Sequence, residues 1–283
     1  MNAKTILLKT TITAKDDWHI GRFSILKRHL QDCGHHVLGQ DRRVAGGNDY
    51  DLGSLTENAV DQVWLFAVDI EDALTPDDAA ALTAFREQGG GLLITRDHED
   101  MGTSLLQLGD VGEAHHFQTR NPEPNEDRRC VDDTVTDYIS WPNYHTGANG
   151  DYQTIATPLR DHPLVLRESG EPITYLPSHP HEGVVSRPKC AAGYADVVIE
   201  GRSKTTGNVF GSAVAFDHRP NDAGARAGRA VAQSTFHHFV DPNLDPSMPS
   251  PSFVSEPPGR GIAENPTALR DALRYIENIA NWL

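Results

Sequence analysis

Apolar positions along this 283-residue chain change period several times, and each change marks a structural element. Residues 5–12, opening Thr5-Ile6-Leu7-Leu8, are apolar and β-branched and predict a strand, with a polar loop behind it through His19. Residues 22–33 carry Phe23, Leu26 and Leu30 at helical spacing, and Gly34 closes that helix. A short strand at 35–38 and an apolar strand at 63–68, ending at Asp69, come next. Thr75-Pro76-Asp77-Asp78 is a helix start: a threonine cap, proline at the first helical position, and acids in the first turn. That helix runs to Gln88, and Gly89-Gly90-Gly91 turn the chain back. Leu92-Leu93-Ile94-Thr95 then fits a central parallel strand covered on both faces. Strand and helix alternating at this rhythm predict right-handed βαβ units. The expected fold is α/β, a Rossmann- or flavodoxin-like, mostly parallel sheet with helices on both faces.

From Gly109 the pattern loosens. Residues 119–160 are rich in Asn, Asp, Pro and Gly, and a connection of that length inside a compact domain is usually functional. Strands are expected at 195–200, 211–216 and 229–236, and a closing helix at 267–283 places Leu269, Leu273, Ile276 and Ile279 on one face. The chain therefore reads as one domain, 1–283, with an insertion at 110–194 and a proline-rich loop at 242–265. Both are expected to form lids.

Charge narrows the partners. A net charge of −15 argues against a nucleic-acid surface, because phosphate contacts need clustered Lys and Arg. No apolar run approaches bilayer length, so no membrane partner is expected. The first residues enter a strand without a signal-peptide pattern, which makes cytoplasmic residence the expectation. Cys33, Cys130 and Cys190 are odd in number and far apart, so no disulfide framework or Cys-based zinc motif is visible. Cys33, beside apolar helix positions, reads as a buried thiol. A small-molecule substrate is the expected partner, and a homo-oligomer stays open.

Fourteen histidines are many for this length, and their placement carries the functional reading. The predicted strands end in Asp16-Asp17-Trp18-His19, Asp69, Asp97-His98-Glu99, Asp217-His218, and His237-His238 with Asp241. In open α/β sheets ligands bind beyond the carboxyl ends of strands, so five such ends on one edge would outline a site. Strand ends are also where polar loops begin, which explains the acids better than the histidines. Ser178-His179-Pro180-His181-Glu182 adds a His-x-His pair. In extended chain both imidazoles share one side and suit a divalent ion, with Glu182 as an oxygen ligand or base. A rigid loop with backbone-bonded histidines is the plain alternative. His237 and His238 would point to opposite faces of a continuing strand, so at most one of them enters the site unless the strand has ended before them. Tyr144, His145 and Asn149, in a Gly-rich turn, can stack on and hydrogen-bond a sugar-like substrate, or pack as a self-contained loop.

Gly89-Gly90-Gly91-Leu92-Leu93-Ile94-Thr95 at the fourth strand, with Leu74-Thr75-Pro76-Asp77 before it, resembles the class I glutamine amidotransferase-like superfamily. Asp161-His162-Pro163-Leu164 and the strand Gly228-Arg229-Ala230-Val231-Ala232, running on to His237-His238, are similar to its ThuA-like (trehalose-utilisation) branch. The resemblance covers residues 1–110 and 195–283. It implies a Rossmann-like core and a lean towards sugars or other small polar metabolites. Amidotransferases place a nucleophilic cysteine on the turn after this strand. Here that turn is Arg96-Asp97-His98-Glu99, which excludes thiol chemistry there, and His98 matches the histidine that ThuA-like proteins tend to carry near this turn.

The expectation is a metal-assisted hydrolase of a carbohydrate-derived or amide substrate. His179, His181 and one of His98, His237 or His238 hold a divalent ion, zinc by its nitrogen-rich ligation. Glu182 or Glu99 acts as base, His98 assists, and Asp97 orients a ligand histidine. Trp18, His19, Asp69, Tyr144, His145 and Asn149 are the expected substrate contacts. A metal-free isomerase or lyase on a keto-sugar is the alternative, and a non-catalytic binding protein of this fold is the third reading.

Overall fold

The structure is a computed structural model; it describes the chain except residues 1, 14, 16, 56–58, 70–72, 130, 133, 135, 137, 140–142, 220–223 and 225. Seven strands form the main sheet: β1 (Thr5–Thr10), β2 (His36–Gln40), β3 (Gln62–Phe66), β4 (Gly91–Thr95), β5 (Ala195–Arg202), β6 (Val209–Phe216) and β7 (Ala230–Gln233). Their spatial order is β5-β6-β7-β4-β3-β1-β2. The pairs β1–β2, β1–β3, β3–β4 and β4–β7 are parallel, whereas β7–β6 and β6–β5 are antiparallel. This is the expected Rossmann-like α/β sheet with an antiparallel margin.

Strand alternation divides the core in two. Ile6, Leu8, Trp64, Phe66 and Leu93 face one side, packed under helix α1 (Ser24–Asp32) and the closing helix α3 (Pro266–Trp282). Leu7, Val63, Leu65, Leu92 and Ile94 face the other, under helix α2 (Pro76–Glu87). A strand covered on both faces must be apolar at every position, which is why β3 and β4 read as continuous apolar runs. Helix α2 starts as its sequence requires, with a capping box between Thr75 and Asp78 and Pro76 in the first turn. The Asp241 carboxylate accepts from the backbone N–H groups of Ser24 (3.1 Å) and Ile25 (2.8 Å), fixing the N-terminus of α1.

The insertion is not structureless. It contributes short antiparallel ribbons pairing Val184–Val185 with His115–His116, and Tyr152–Thr154 with Tyr175–Pro177. Arg96, fully buried, ties this layer to the sheet: Nη1 donates to His116 O at 2.9 Å, Nε to Met101 O at 3.0 Å, and Nη2 to Glu99 O. Burial lowers its pKa to about 9, so it stays cationic at neutral pH. No helix among the described residues is long and apolar enough to cross a membrane.

Candidate functional site

At the carboxyl edge of the parallel strands lies a cavity of about 880 Å3. Thr11 beyond β1, Asp69 beyond β3, Asp97 and His98 beyond β4, and His237 beyond β7 line its floor. His179 and His181 from the insertion face them, and Phe253 to Glu256 of the proline-rich loop add a wall, with Trp18 beside them.

One carboxylate is the centre of this floor. Asp97 Oδ1 is 3.7 Å from His179 Nε2, and Oδ2 is 3.4 Å from His237 Nε2 and 3.6 Å from His98 Nε2. Thr235 Oγ1 donates to Oδ1 at 3.1 Å. All of Asp97, His179 and His237 are buried, and one ligand atom of each lies within 4.8 Å of the others. The His179 and His237 rings stack with centroids 3.4 Å apart, and Trp18 meets His237 edge-on at 5.1 Å. His179 Nδ1 is held by Asn149 Oδ1 at 2.8 Å, which turns Nε2 towards Asp97 and leaves it without a hydrogen-bond partner. A buried imidazole nitrogen left so is either a cost or a ligand position.

Electrostatics favour the forms a cation needs. Burial, then the neighbouring histidines, holds His179 well below its usual pKa, so it is neutral with a free lone pair. Burial acts to raise Asp97, but attraction to His98 and His237 outweighs it and the carboxyl stays ionised. Burial likewise lowers His98 despite Asp97 and Glu99 beside it. Glu99 closes the turn with a φ of 50°, a conformation non-glycine residues seldom take outside constrained sites.

The remaining expected residues divide. Asp97, expected to orient a ligand histidine, stands within 3.4–3.7 Å of three ring nitrogens. His181 lines the cavity with its ring 5.3 Å from that of His179, and its Nε2 is 3.9 Å from Glu256. Trp18, Asn149 and Asp69 line the cavity, Asp69 accepting from Thr11 Oγ1.

Others lie elsewhere. Glu182 and His238 sit outside the cavity as a fully buried pair, Oε2 to Nε2 3.4 Å. Thr146 and Gln153 also bond Glu182, and Gln233 Nε2 reaches His238 Nδ1 at 2.7 Å. The strand ends at Gln233, before these residues, and it is a 3-10 turn over Phe236–His238, not strand alternation, that sends His237 and His238 to different surroundings. Tyr144 is no substrate contact: it is fully buried, stacked on Phe210 at 4.3 Å, with its hydroxyl on Arg128 O. His145 and His19 do not line the cavity; the His19 imidazole caps its own turn, accepting from Gly21 N at 3.1 Å. His162 lies against Trp282, remote from the cavity.

Asp217 and His218 are on the opposite edge, because β6 is antiparallel and its end pairs with the start of β7 through Phe216 and Ala230. Asp16 and Cys130 lie outside the described residues. Thr11, Thr235, Arg42 and Glu256 join the site without a sequence signal beyond polarity; Thr235, two residues before His237, is the one that strand-end reasoning could have reached.

No protein-family model matches the chain, and no curated protein does. Among solved structures it is similar to the mmIFT52 N-terminal domain, with 15% identity, a TM-score of 0.50, and 85% of this chain and 90% of that one covered. It also aligns with a ThuA-like protein from Bacteroides uniformis (8% identity, TM-score 0.46, 100% and 92% covered). A third alignment is to the glutaminase domain of Trypanosoma brucei CTPS (12% identity, TM-score 0.46, 99% and 96% covered). Identities this low speak for the fold alone.

Proposed function

We propose that the protein is a metal-dependent hydrolase of a small polar metabolite, carbohydrate-derived or amide. The carrying observation is the buried Asp97, His179 and His237 set, with an unpartnered His179 Nε2, on the floor of a large cavity. Two imidazoles and one carboxylate are a zinc-type donor set that leaves a coordination position for water. A bound ion makes water a nucleophile at neutral pH.

This chain's own residues then have distinct tasks. Asn149 fixes the His179 tautomer, and Thr235 orients Asp97. His98, neutral and with Nδ1 unpartnered, can take the proton that the attacking water loses, with Glu99 beside it at 3.8 Å. Asp69, Glu99 and Glu256 line the cavity beside Asp97, whereas Arg42 is the one Lys or Arg among the described lining residues. That balance favours an uncharged hydroxylated or amide substrate over an anionic one. Trp18 offers it a flat apolar face.

Elemental analysis tests the reading. The purified or remetallated protein should hold a divalent transition ion that His179→Ala removes, and turnover should fall with it. Less than a tenth of an equivalent after remetallation would sink it. The contact of His98 Nε2 with Asp97 Oδ2 supports a second reading, metal-free isomerisation or elimination on a keto-sugar. Turnover that survives exhaustive chelation would select that one.

A further inference from the structure

Away from the cavity, three donor side chains from two helices converge. His29 and Cys33 lie one turn apart on the same side of α1, and Glu277 of α3 faces them. His29 Nε2 is 3.1 Å from Glu277 Oε1, and Cys33 Sγ is 4.0 Å from His29 Nε2. One ligand atom of each of the three lies within 4.8 Å of the others. Donors bound tetrahedrally at about 2.0–2.3 Å stand roughly 3.3–3.8 Å apart, so shifts of up to about an ångström would close this set around an ion. Arg274 Nη1 holds the other Glu277 oxygen, Oε2, at 3.0 Å, which leaves Oε1 turned towards His29.

We propose that His29, Cys33 and Glu277 form a second metal site, selective for Zn2+ or a similar thiophilic ion, that ties α1 to α3. Sulfur and imidazole nitrogen disfavour Mg2+ and Ca2+, which take oxygen ligands. An ordinary His–Glu ion pair would need no thiol; the cysteine adds the soft donor. The side chains of His29 and Glu277 are 19% and 25% exposed, so an ion can enter and a water can complete its shell. Burial and then the Glu277 charge push the Cys33 thiol up, so it is protonated until a cation reverses that balance. Sequence spacing could not show this site, because its third ligand arrives from the far end of the chain.

Among the described residues the cavity set includes no cysteine, so a thiolate signal that depends on Cys33 reads this site. Cobalt(II) titrated into the full-length protein should produce thiolate-to-cobalt charge-transfer absorption, lost in Cys33→Ser and kept in Cys190→Ser. His29→Ala should weaken the ion responsible by more than about tenfold. Zinc should raise Tm by roughly 3 °C or more in the His179→Ala background, and not when Cys33→Ser is added. Absorption that is absent, or that survives Cys33→Ser in folded protein, overturns the proposal. Either result leaves the cavity reading standing, since that rests on ions removed by His179→Ala.

Discussion

The imidazole rings of His179 and His237 lie face to face, centroids 3.4 Å apart and planes inclined by 11°. That stacking sets both rings against the single carboxylate of Asp97, whose oxygens lie 3.7 Å from His179 Nε2 and 3.4 Å from His237 Nε2. Each of His179→Ala, His237→Ala and Asp97→Asn should lower transition-metal affinity by more than about 100-fold, beyond the range of residues that only orient ligands. Asn149→Ala, which frees His179 Nδ1, should cost about 10- to 100-fold. Isothermal titration with zinc separates the two groups, and equal losses for all four variants would refute the assigned roles.

Glu182 stands with His238 in a fully buried pair bonded by Thr146 and Gln153, not in the cavity. Glu182→Ala removes the buried acceptor that Thr146 and Gln153 share and that faces His238, so it should destabilise the fold by about 3–5 kcal/mol in denaturant titration. Metal affinity should change far less than in His179→Ala. A folded Glu182→Ala protein of normal stability but without activity would instead return Glu182 to the role of base.

Acid should unfold the protein early. Burial depresses His98, His115, His116 and His179 below the ordinary value of 6.5. Below that value the unfolded chain binds protons that the folded chain refuses, so stability falls as pH drops through it. Each such histidine contributes a slope of about 1.4 kcal/mol per pH unit until its own folded value is reached. His115 is the cleanest probe, fully buried, outside the cavity, and with no hydrogen-bond partner on either ring nitrogen. Urea midpoints at pH 7.5 and 5.5 should show the loss, and His115→Leu should reduce it. An unchanged slope in that variant would refute the assignment.

Gly183 lets the histidine loop close onto the β4 turn. A Cβ there would stand 2.5 Å from Asp97 O and 2.8 Å from Ser234 O, both backbone atoms that cannot swing away. Gly183→Ala should therefore cost about 1–3 kcal/mol of stability and weaken metal binding, because it pushes His179 away from Asp97. Full zinc affinity in the variant would show that the loop tolerates the displacement.

Elements were legible in the sequence wherever a local rule decided them. The Thr75-Pro76 start of α2, the apolar runs of β3 and β4 and the amphipathic α3 all lie within a residue or two of where their patterns placed them. The polar strand ends at Asp69, Asp97 and His237 also marked the site, because parallel strands must deliver their carboxyl ends to one edge. Strand direction was not local. Only the sheet showed β6 to run antiparallel, which removed Asp217 and His218 from the site. Sequence spacing likewise could not separate His237 from His238, or His179 from Glu182, since each pair sits on a bend whose exit is set by what packs behind it. The same holds for Cys33, which local pattern buried and the structure leaves half-buried against His29 and Glu277. Residue chemistry and local pattern specified the donors; which of them meet was decided by long-range packing, because convergence depends on backbone direction and not on order along the chain.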